Sequence, residues 1–181
     1  MLVAATVLWL GEFVWFRSPE PQAEVRKPAS FAVVSGAIIG SIALSIALRA
    51  AAMGPIPDRW LSLSTTTGAV CAVLGAVLRY WAIHELGPAF SRTVTVRADQ
   101  ALASKGPYRM LRHPLYLGLL LLTTGISLFI GSLLGLLLTL VALPLALHLR
   151  IVEEERLMEE VIGDRYRTWK QDRYRLIPYL Y

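Results

Sequence analysis

Five apolar stretches separated by short polar segments divide the chain from end to end. Most of them approach the roughly 20 residues that a helix needs to cross a membrane. We therefore predict an all-α fold, a polytopic membrane helical bundle of about five transmembrane helices with a C-terminal cytoplasmic helix and a cofactor pocket. The predicted spans are residues 2–16, 31–53, 61–83, 115–130 and 132–149.

The last two spans are joined by Gly131 and Ser132 alone, which predicts a tight helical hairpin. Pro144 cannot donate a backbone hydrogen bond and is predicted to kink the fifth helix. Charged residues at 150–162 continue this helix in amphipathic form, and Gly163 is placed well to end it.

The longest polar connection within the chain, residues 85–112, contains alternating β-branched residues at 91–96, which predict a short extended piece. The second span is rich in small residues, and the spacing of Gly36 and Gly40 would permit close approach of another helix.

Composition supports the membrane interpretation. Hydrophobic residues make up 55% of the chain and charged residues only 17%, whereas a soluble domain usually carries about 25% charged residues. The net charge of +5 is concentrated in a few loops. We attribute it to membrane topology and lipid headgroups, not to nucleic acid, because no nucleic-acid-binding motif accompanies it.

The distribution of positive charge predicts an orientation. With five spans, 16 of the 18 Lys and Arg lie on one side of the membrane, and Arg49 and Arg59 lie on the other. The positive-inside rule then places the N-terminus outside and the C-terminus in the cytoplasm. The single cysteine, Cys71, has no CxxC partner, so no metal site is predicted.

Candidate chemistry is concentrated at residues 106–118, where two Tyr, two Arg, one His and two Pro precede a long apolar run. Ionisable residues at such a position are expensive and are usually kept for function. His113 and Tyr116 would share a helix face, with Pro114 in the first turn. Free N–H groups there would favour an anion, and the rings of Tyr108 and Tyr116 could meet a base or a cation.

Arg150 and Glu154 are four residues apart, so they share a face of the last long helix. The arginine could hold a carboxylate, and the glutamate could bind ribose hydroxyls or an ammonium. S-adenosylmethionine carries all of these groups. Two simpler interpretations remain open: interfacial anchoring by Arg and Tyr, and a solvated helix face with i,i+4 ion pairs.

Several short motifs follow one another along residues 79–180. They are Gly106-Pro107-Tyr108-Arg109, Arg112-His113-Pro114-x-Tyr116-x-Gly118, Arg150 with Glu153-Glu154-Glu155, Gly163-Asp164-x-Tyr166 and Leu176-Ile177-Pro178. Together they resemble the isoprenylcysteine carboxyl methyltransferase family. Related motifs occur in phospholipid methyltransferases and at the C-terminus of sterol reductases, so the resemblance supports the cofactor more than the substrate.

The resemblance implies an integral membrane methyltransferase that uses S-adenosylmethionine without a soluble Rossmann-type fold. It implies that Arg150 orients the substrate carboxylate as the catalytic residue. The cofactor contacts that it implies are Gln100, Ala101, Leu102, Ala103, Tyr108, His113, Pro114, Leu115, Tyr116 and Glu154. Family members often have His-x-Leu-Val where this chain has residues 100–103.

We therefore expect an N-terminal two-helix membrane hairpin at residues 1–60 and a methyltransferase core at 61–181, with three membrane helices, the cytoplasmic loop and the C-terminal helix. The expected reaction is methylation of the carboxylate of a lipophilic, possibly prenylated, substrate, such as a prenylated cysteine. Alternatives are methylation of a phospholipid amine or other small lipophile, and a non-catalytic membrane scaffold or transporter. A nicotinamide-dependent reductase would need more basic groups for phosphate than this site has.

Overall fold

The computed structural model describes residues 25–27, 29–91 and 94–179, and its regular elements confirm the helical-bundle class. The predicted first span, residues 2–16, lies outside the described residues, as does most of the loop after it. The elements, in chain order, are β1 (Val25–Lys27), α1 (Ala29–Ala50), α2 (Asp58–Leu86), β2 (Val94–Val96), α3 (Pro114–Ile130), α4 (Leu133–Ile162) and α5 (Asp164–Gln171).

The bundle is that of an integral membrane protein. Among the described residues, α1, α2 and α4 are long and apolar enough to cross a membrane, and α3 is a shorter apolar helix of 17 residues. Val141, Leu145 and Leu149 of α4 are 60%, 61% and 66% exposed and lie four residues apart. They form an apolar stripe on the outside of the bundle, as expected for a lipid-facing surface.

Helices α2 and α3 pack at glycine positions. A Cβ on Gly68 would lie 2.6 Å from the Gly125 carbonyl oxygen, and one on Gly75 would lie 2.6 Å from that of Gly118. The two backbones therefore meet directly, antiparallel, along one stripe. Small residues allow such close approach in membranes, where van der Waals packing holds helices together. On α1, a Cβ on Gly36 or Gly40 would meet no atom of the described residues within 4 Å.

A buried polar junction ties α1, α3 and α4 together. The hydroxyl of Ser45 lies 3.2 Å from that of Ser127, which lies 2.9 Å from Thr139 Oγ1. Ser45 and Thr139 also donate to carbonyls one turn back, at Ser41 and Gly135. Buried hydroxyls are costly without partners, so these bonds favour one rotational setting of the three helices.

The connections separate into two ends. At one end, the α1–α2 loop and the α3–α4 turn pair through Ile56 N–H to Gly131 O and Leu133 N–H to Gly54 O, both at 2.9 Å. Gly131 has φ 77°, a left-handed conformation that glycine adopts without strain, and the predicted hairpin is confirmed. Pro144 lies within α4, which continues past it to Ile162.

The other end carries the polar segments. The predicted extended piece contains β2, which pairs antiparallel with β1, Val25 facing Val96. Gly163 follows the last residue of α4, as predicted, and α5 begins directly after it. Val96 then packs with Leu157, Ile162 and Tyr166 in a small core under these loops.

The glycine contact can be tested by adding one methyl group. We expect Gly68→Ala to lower the thermal unfolding midpoint in detergent by several degrees, because its Cβ would overlap backbone atoms of α3 at 2.5–2.6 Å. Overpacking costs about 1–3 kcal/mol, and each kcal/mol shifts Tm by about 2–4 °C in a chain of this size. Gly36→Ala is the matched control with an unchanged or higher midpoint. Equal midpoints for the two variants would contradict direct backbone contact.

Candidate active site

A cavity of about 390 Å³ lies at the polar end of the bundle, where the apolar helices give way to loops. Its apolar side comes from α1 and the start of α3, including Val34, Ile38, Leu115 and Leu119. Its polar side comes from α4, from the loop between α2 and α3, and from α5. The volume is within the range of about 300–1,000 Å³ that small-molecule sites usually have.

The structure brings together the residues that the sequence singled out. All of them line the cavity except Pro114, which is buried in the first turn of α3. The lining members are Gln100, Ala101, Leu102, Ala103, Tyr108, His113, Leu115, Tyr116, Arg150 and Glu154. What each of them binds stays a prediction.

Tyr116 links Arg150 to Glu154. The Arg150 Nε donates to the Tyr116 hydroxyl at 2.7 Å, and this hydroxyl donates to the Glu154 carboxylate. The Arg150 guanidinium also lies over the Tyr116 ring, 5.6 Å from its centroid. The His113 ring also stacks on Tyr116, with centroids 5.5 Å apart. The predicted shared face of Arg150 and Glu154 is thus confirmed, with the phenol between them.

Glu155, the next residue, turns away from the cavity and forms a buried charge cluster. Its Oε1 lies 3.2 Å from His113 Nε2 and 3.3 Å from Arg112 Nη1. Its Oε2 accepts two bonds from Arg175, at 2.7 and 3.1 Å. One buried carboxylate therefore joins α4 to the start of α3 and to the C-terminal tail.

The backbone of the same tail pairs with the segment before α3. Arg112 N–H donates to Tyr174 O at 2.8 Å, and Tyr174 N–H donates to Met110 O at 2.9 Å. His113 N–H donates to Arg175 O at 3.2 Å. The tail thus lies against the residues that lead into the cavity wall, and its hydrogen bonds fix the backbone position of His113 just before α3.

The first turn of α3 is a poorer anion site than its sequence predicts. Pro114 has no N–H, and the N–H groups of Tyr116 and Leu117 both donate to the His113 carbonyl, at 3.1 and 3.2 Å. An N-terminal helix turn binds anions through free N–H groups. An anionic ligand group in this cavity would therefore depend mainly on side chains, and the guanidiniums are the suitable ones.

Helix α5 holds the loop that carries residues 100–103. Arg165 donates to the carbonyls of Ala98 and Gln100 at 3.3 and 3.2 Å. The Trp169 indole N–H donates to Ala103 O and Ser104 Oγ, each at 3.0 Å. These bonds hold the loop in the cavity wall, although the loop residues are far from α5 in sequence.

The charged residues in the cavity lining are mostly positive. Among the described residues that line it, Arg79, Arg112 and Arg150 carry positive charge and Glu154 carries negative charge. Burial raises the pKa of the Tyr108 phenol above its ordinary value, the negative charge of Glu154 raises it further, and Arg79 opposes them. Tyr108 is therefore a neutral phenol at physiological pH, able to donate a hydrogen bond and unable to act as a phenolate base.

Several residues outside the predicted set contribute to the site, Arg112 among them. Arg79 lines the cavity and donates to the Leu115 carbonyl at 3.4 Å. Tyr166 and Trp169 line it from α5, and Glu155, outside the lining, lies 3.2 Å from His113 Nε2. Tyr166 and Glu155 were visible as parts of the family motifs, but without a role. No local pattern marks Trp169.

The phospholipid methyltransferase family matches residues 63–165. The protein-S-isoprenylcysteine O-methyltransferase of Saccharomyces cerevisiae is 31% identical over 110 residues, which are 60% of this chain and 46% of that protein. The protein of the same name from Schizosaccharomyces pombe is 29% identical over the same shares. Protein-S-isoprenylcysteine O-methyltransferase B of Arabidopsis thaliana is 26% identical over 62% of this chain and 56% of its own.

These relatives confirm the resemblance that the motifs indicated. The chain spans about half the length of the relatives it matches. The match to the family begins at residue 63, within α2, and ends at 165, within α5. The proposed division into an N-terminal hairpin and a core stays a prediction.

The role of α5 gives a test that needs no ligand. We expect Trp169→Phe to speed amide hydrogen exchange in residues 97–104 by roughly two- to tenfold, because it removes the indole bonds to Ala103 and Ser104 and a hydrogen bond contributes about 0.5–1.5 kcal/mol. Exchange is read by mass spectrometry of the detergent-purified protein. Trp60→Phe, at an exposed position of α2, is the control. Unchanged exchange in this loop would show that Trp169 does not hold it.

Proposed function

The chain belongs to the phospholipid methyltransferase family, and from this premise we propose that it is an S-adenosylmethionine-dependent methyltransferase that acts on the carboxylate of a lipophilic substrate, such as a prenylated cysteine. The observation that carries the proposal is the position of Arg150. It is a buried arginine beside Tyr116 and Glu154, in a cavity with one polar and one apolar side.

The residues present fit the cofactor. A ligand with an ammonium, a ribose and a base needs a carboxylate, polar acceptors and flat or apolar surfaces. Glu154, His113 and Tyr108 supply the polar groups, and Leu102 with the aliphatic wall supplies the apolar surface. When bound, S-adenosylmethionine supplies a methyl group on a sulfonium, which passes to an oxygen nucleophile while the electron pair of the carbon–sulfur bond stays on sulfur.

Arg150 is suited to binding the carboxylate of the methyl acceptor. Its guanidinium contacts both the ring and the hydroxyl of Tyr116, and these contacts hold it in place at the cavity wall. A guanidinium binds a carboxylate oxygen through directed, charge-assisted hydrogen bonds. It can therefore fix one oxygen of the acceptor and leave the other toward the methyl donor. A carboxylic acid is already ionised at neutral pH, so no side chain is needed as a base.

The apolar wall accounts for a lipophilic acceptor. Val34 and Ile38 of α1 and Leu119 of α3 are buried and face the same cavity as Arg150. An acyl or prenyl chain against this wall would exclude water from the carboxylate, which raises the reactivity of an anionic nucleophile. We further propose that this end of the bundle, with its basic loops, is the cytoplasmic one.

Binding of the cofactor is the first test. We expect titration calorimetry to show S-adenosylmethionine binding to the detergent-purified protein. We expect His113→Ala and Glu154→Gln to weaken it by roughly tenfold or more, because a hydrogen bond to a charged group contributes about 1.5–3 kcal/mol. Arg156→Ala serves as a control, since Arg156 is exposed and pairs with Glu160 outside the cavity. Absence of binding by well-folded wild-type protein would remove the methyltransferase proposal.

The role of Arg150 is tested by turnover. We expect Arg150→Ala to reduce methylation of a prenylated cysteine carboxylate by at least a hundredfold while cofactor affinity changes less than tenfold, because the guanidinium faces the acceptor. Radiolabelled methyl transfer and the calorimetry above give the two quantities. Arg150→Lys keeps the charge without the planar fork and is expected to recover only part of the activity. Equal losses of turnover and cofactor binding would contradict the assignment.

Methylation of a phospholipid amine is the second candidate, favoured by the description of the matching family. An ammonium must lose a proton before it accepts a methyl group, and Glu154, the carboxylate that lines the cavity among the described residues, could take one. The two candidates differ in product. Activity on phosphatidylethanolamine vesicles, combined with no activity on prenylated cysteine, would favour the amine, whereas a non-catalytic scaffold predicts neither activity and no cofactor binding.

A further inference from the structure

The cluster around Glu155 determines which nitrogen of His113 faces the ligand. His113 is 6% exposed and lines the cavity. Its Nε2 is 3.2 Å from Glu155 Oε1, and Glu155 does not line the cavity. Because Nε2 is directed to Glu155, the polar ring atom that His113 can offer to the cavity is Nδ1. Among the described residues, Nδ1 has no hydrogen-bond partner.

The charges around Glu155 indicate where the imidazole proton lies. Arg112 and Arg175 both donate to this carboxylate, so it is held in its ionised, acceptor-only form. The proton in the Glu155–His113 bond must then belong to the imidazole, on Nε2. Two guanidiniums already face one negative charge, so the cluster carries a net charge of +1, and a second proton on the ring would add a third positive charge to it. In that tautomer Nδ1 carries a lone pair and can only accept.

We propose that Glu155 is a positioning residue that holds His113 as the Nε2–H tautomer, so that Nδ1 accepts a hydrogen bond from an N–H or O–H donor of the ligand. The ligand part of this inference rests on the proposed function, in which the donor is the ammonium or a ribose hydroxyl of the cofactor. It assigns the carboxylate of the ligand to other groups, because an acceptor nitrogen repels an anion. A carboxylate behind a histidine commonly fixes its tautomer in this way.

The tautomer can be read without any ligand. The full chain contains three histidines, His84, His113 and His148, so the ring nitrogens of a ¹⁵N-histidine-labelled sample in detergent give few resonances. Loss of one set in His113→Gln assigns them. We expect Nε2 of His113 to be protonated and Nδ1 to be unprotonated at neutral pH. Protonation of Nδ1, in the other tautomer or in a doubly protonated ring, would overturn the proposal.

Two substitutions separate the two sides of the ring. An asparagine amide occupies roughly the position of Nδ1, and a glutamine amide roughly that of Nε2. We expect His113→Asn to retain an acceptor for the ligand but to lose the Glu155 bond, which lowers thermal stability. We expect His113→Gln to keep the Glu155 bond and a Tm near that of the wild type. Its affinity for S-adenosylhomocysteine, measured by calorimetry, should fall about ten- to hundredfold.

The outcomes distinguish this inference from the proposed function. If His113→Asn binds S-adenosylhomocysteine no better than His113→Gln does, Nδ1 is not the contact and the inference is wrong even though the cofactor is right. If wild-type protein binds no S-adenosylhomocysteine, the proposed function fails, and the nitrogen resonances still decide the role of Glu155. Glu155→Gln, which can donate to Nε2, should reduce the excess of the Nε2–H form; an unchanged tautomer ratio would count against a positioning role.

Discussion

The polar end of this molecule depends on one buried carboxylate. Glu155 is 4% exposed and meets cations from two other parts of the chain, Arg112 before α3 and Arg175 in the tail. A buried ion cluster contributes little net stability, because desolvation offsets the attraction, but loss of one member leaves a charge without compensation. The cluster therefore specifies an arrangement: α4, the start of α3 and the tail must come together in one way, and this arrangement places His113, Tyr116 and Glu154 in the cavity wall.

The long helices could be predicted because a membrane-spanning helix requires a long run of apolar residues, which is visible in the sequence. Every backbone polar group in lipid must be paired within the segment, so a long apolar run has few alternatives to a helix. The predicted spans 31–53, 61–83 and 115–130 correspond to Ala29–Ala50, Asp58–Leu86 and Pro114–Ile130. Their ends differ by a few residues, since polar residues such as Asp58 and Glu85 continue the helices beyond the apolar core.

The site was predictable where its residues form motifs and not where they meet across the chain. The spacing of Arg150 and Glu154 indicates a common face on any helix, and the structure shows that face. The contacts of Trp169 with Ala103, and of Arg175 with Glu155, join segments 66 and 20 residues apart. Such contacts depend on how loops return to the bundle, which no local periodicity encodes. Gly36 and Gly40 show the converse, since a favourable spacing has no partner among the described residues.

The glycine stripe between α2 and α3 has a consequence for how this architecture can diverge. Gly68 and Gly75 are seven residues apart, as are Gly118 and Gly125, and seven residues are close to two turns of helix. Sliding one helix along the other by a smaller step would place a side chain where only a glycine fits. The register of the two helices is thus fixed, because even a slide by seven residues, roughly 10 Å, would leave only one of the two glycine pairs in contact. Gradual change in the depth of the cavity is left to side chains on α1 and α4.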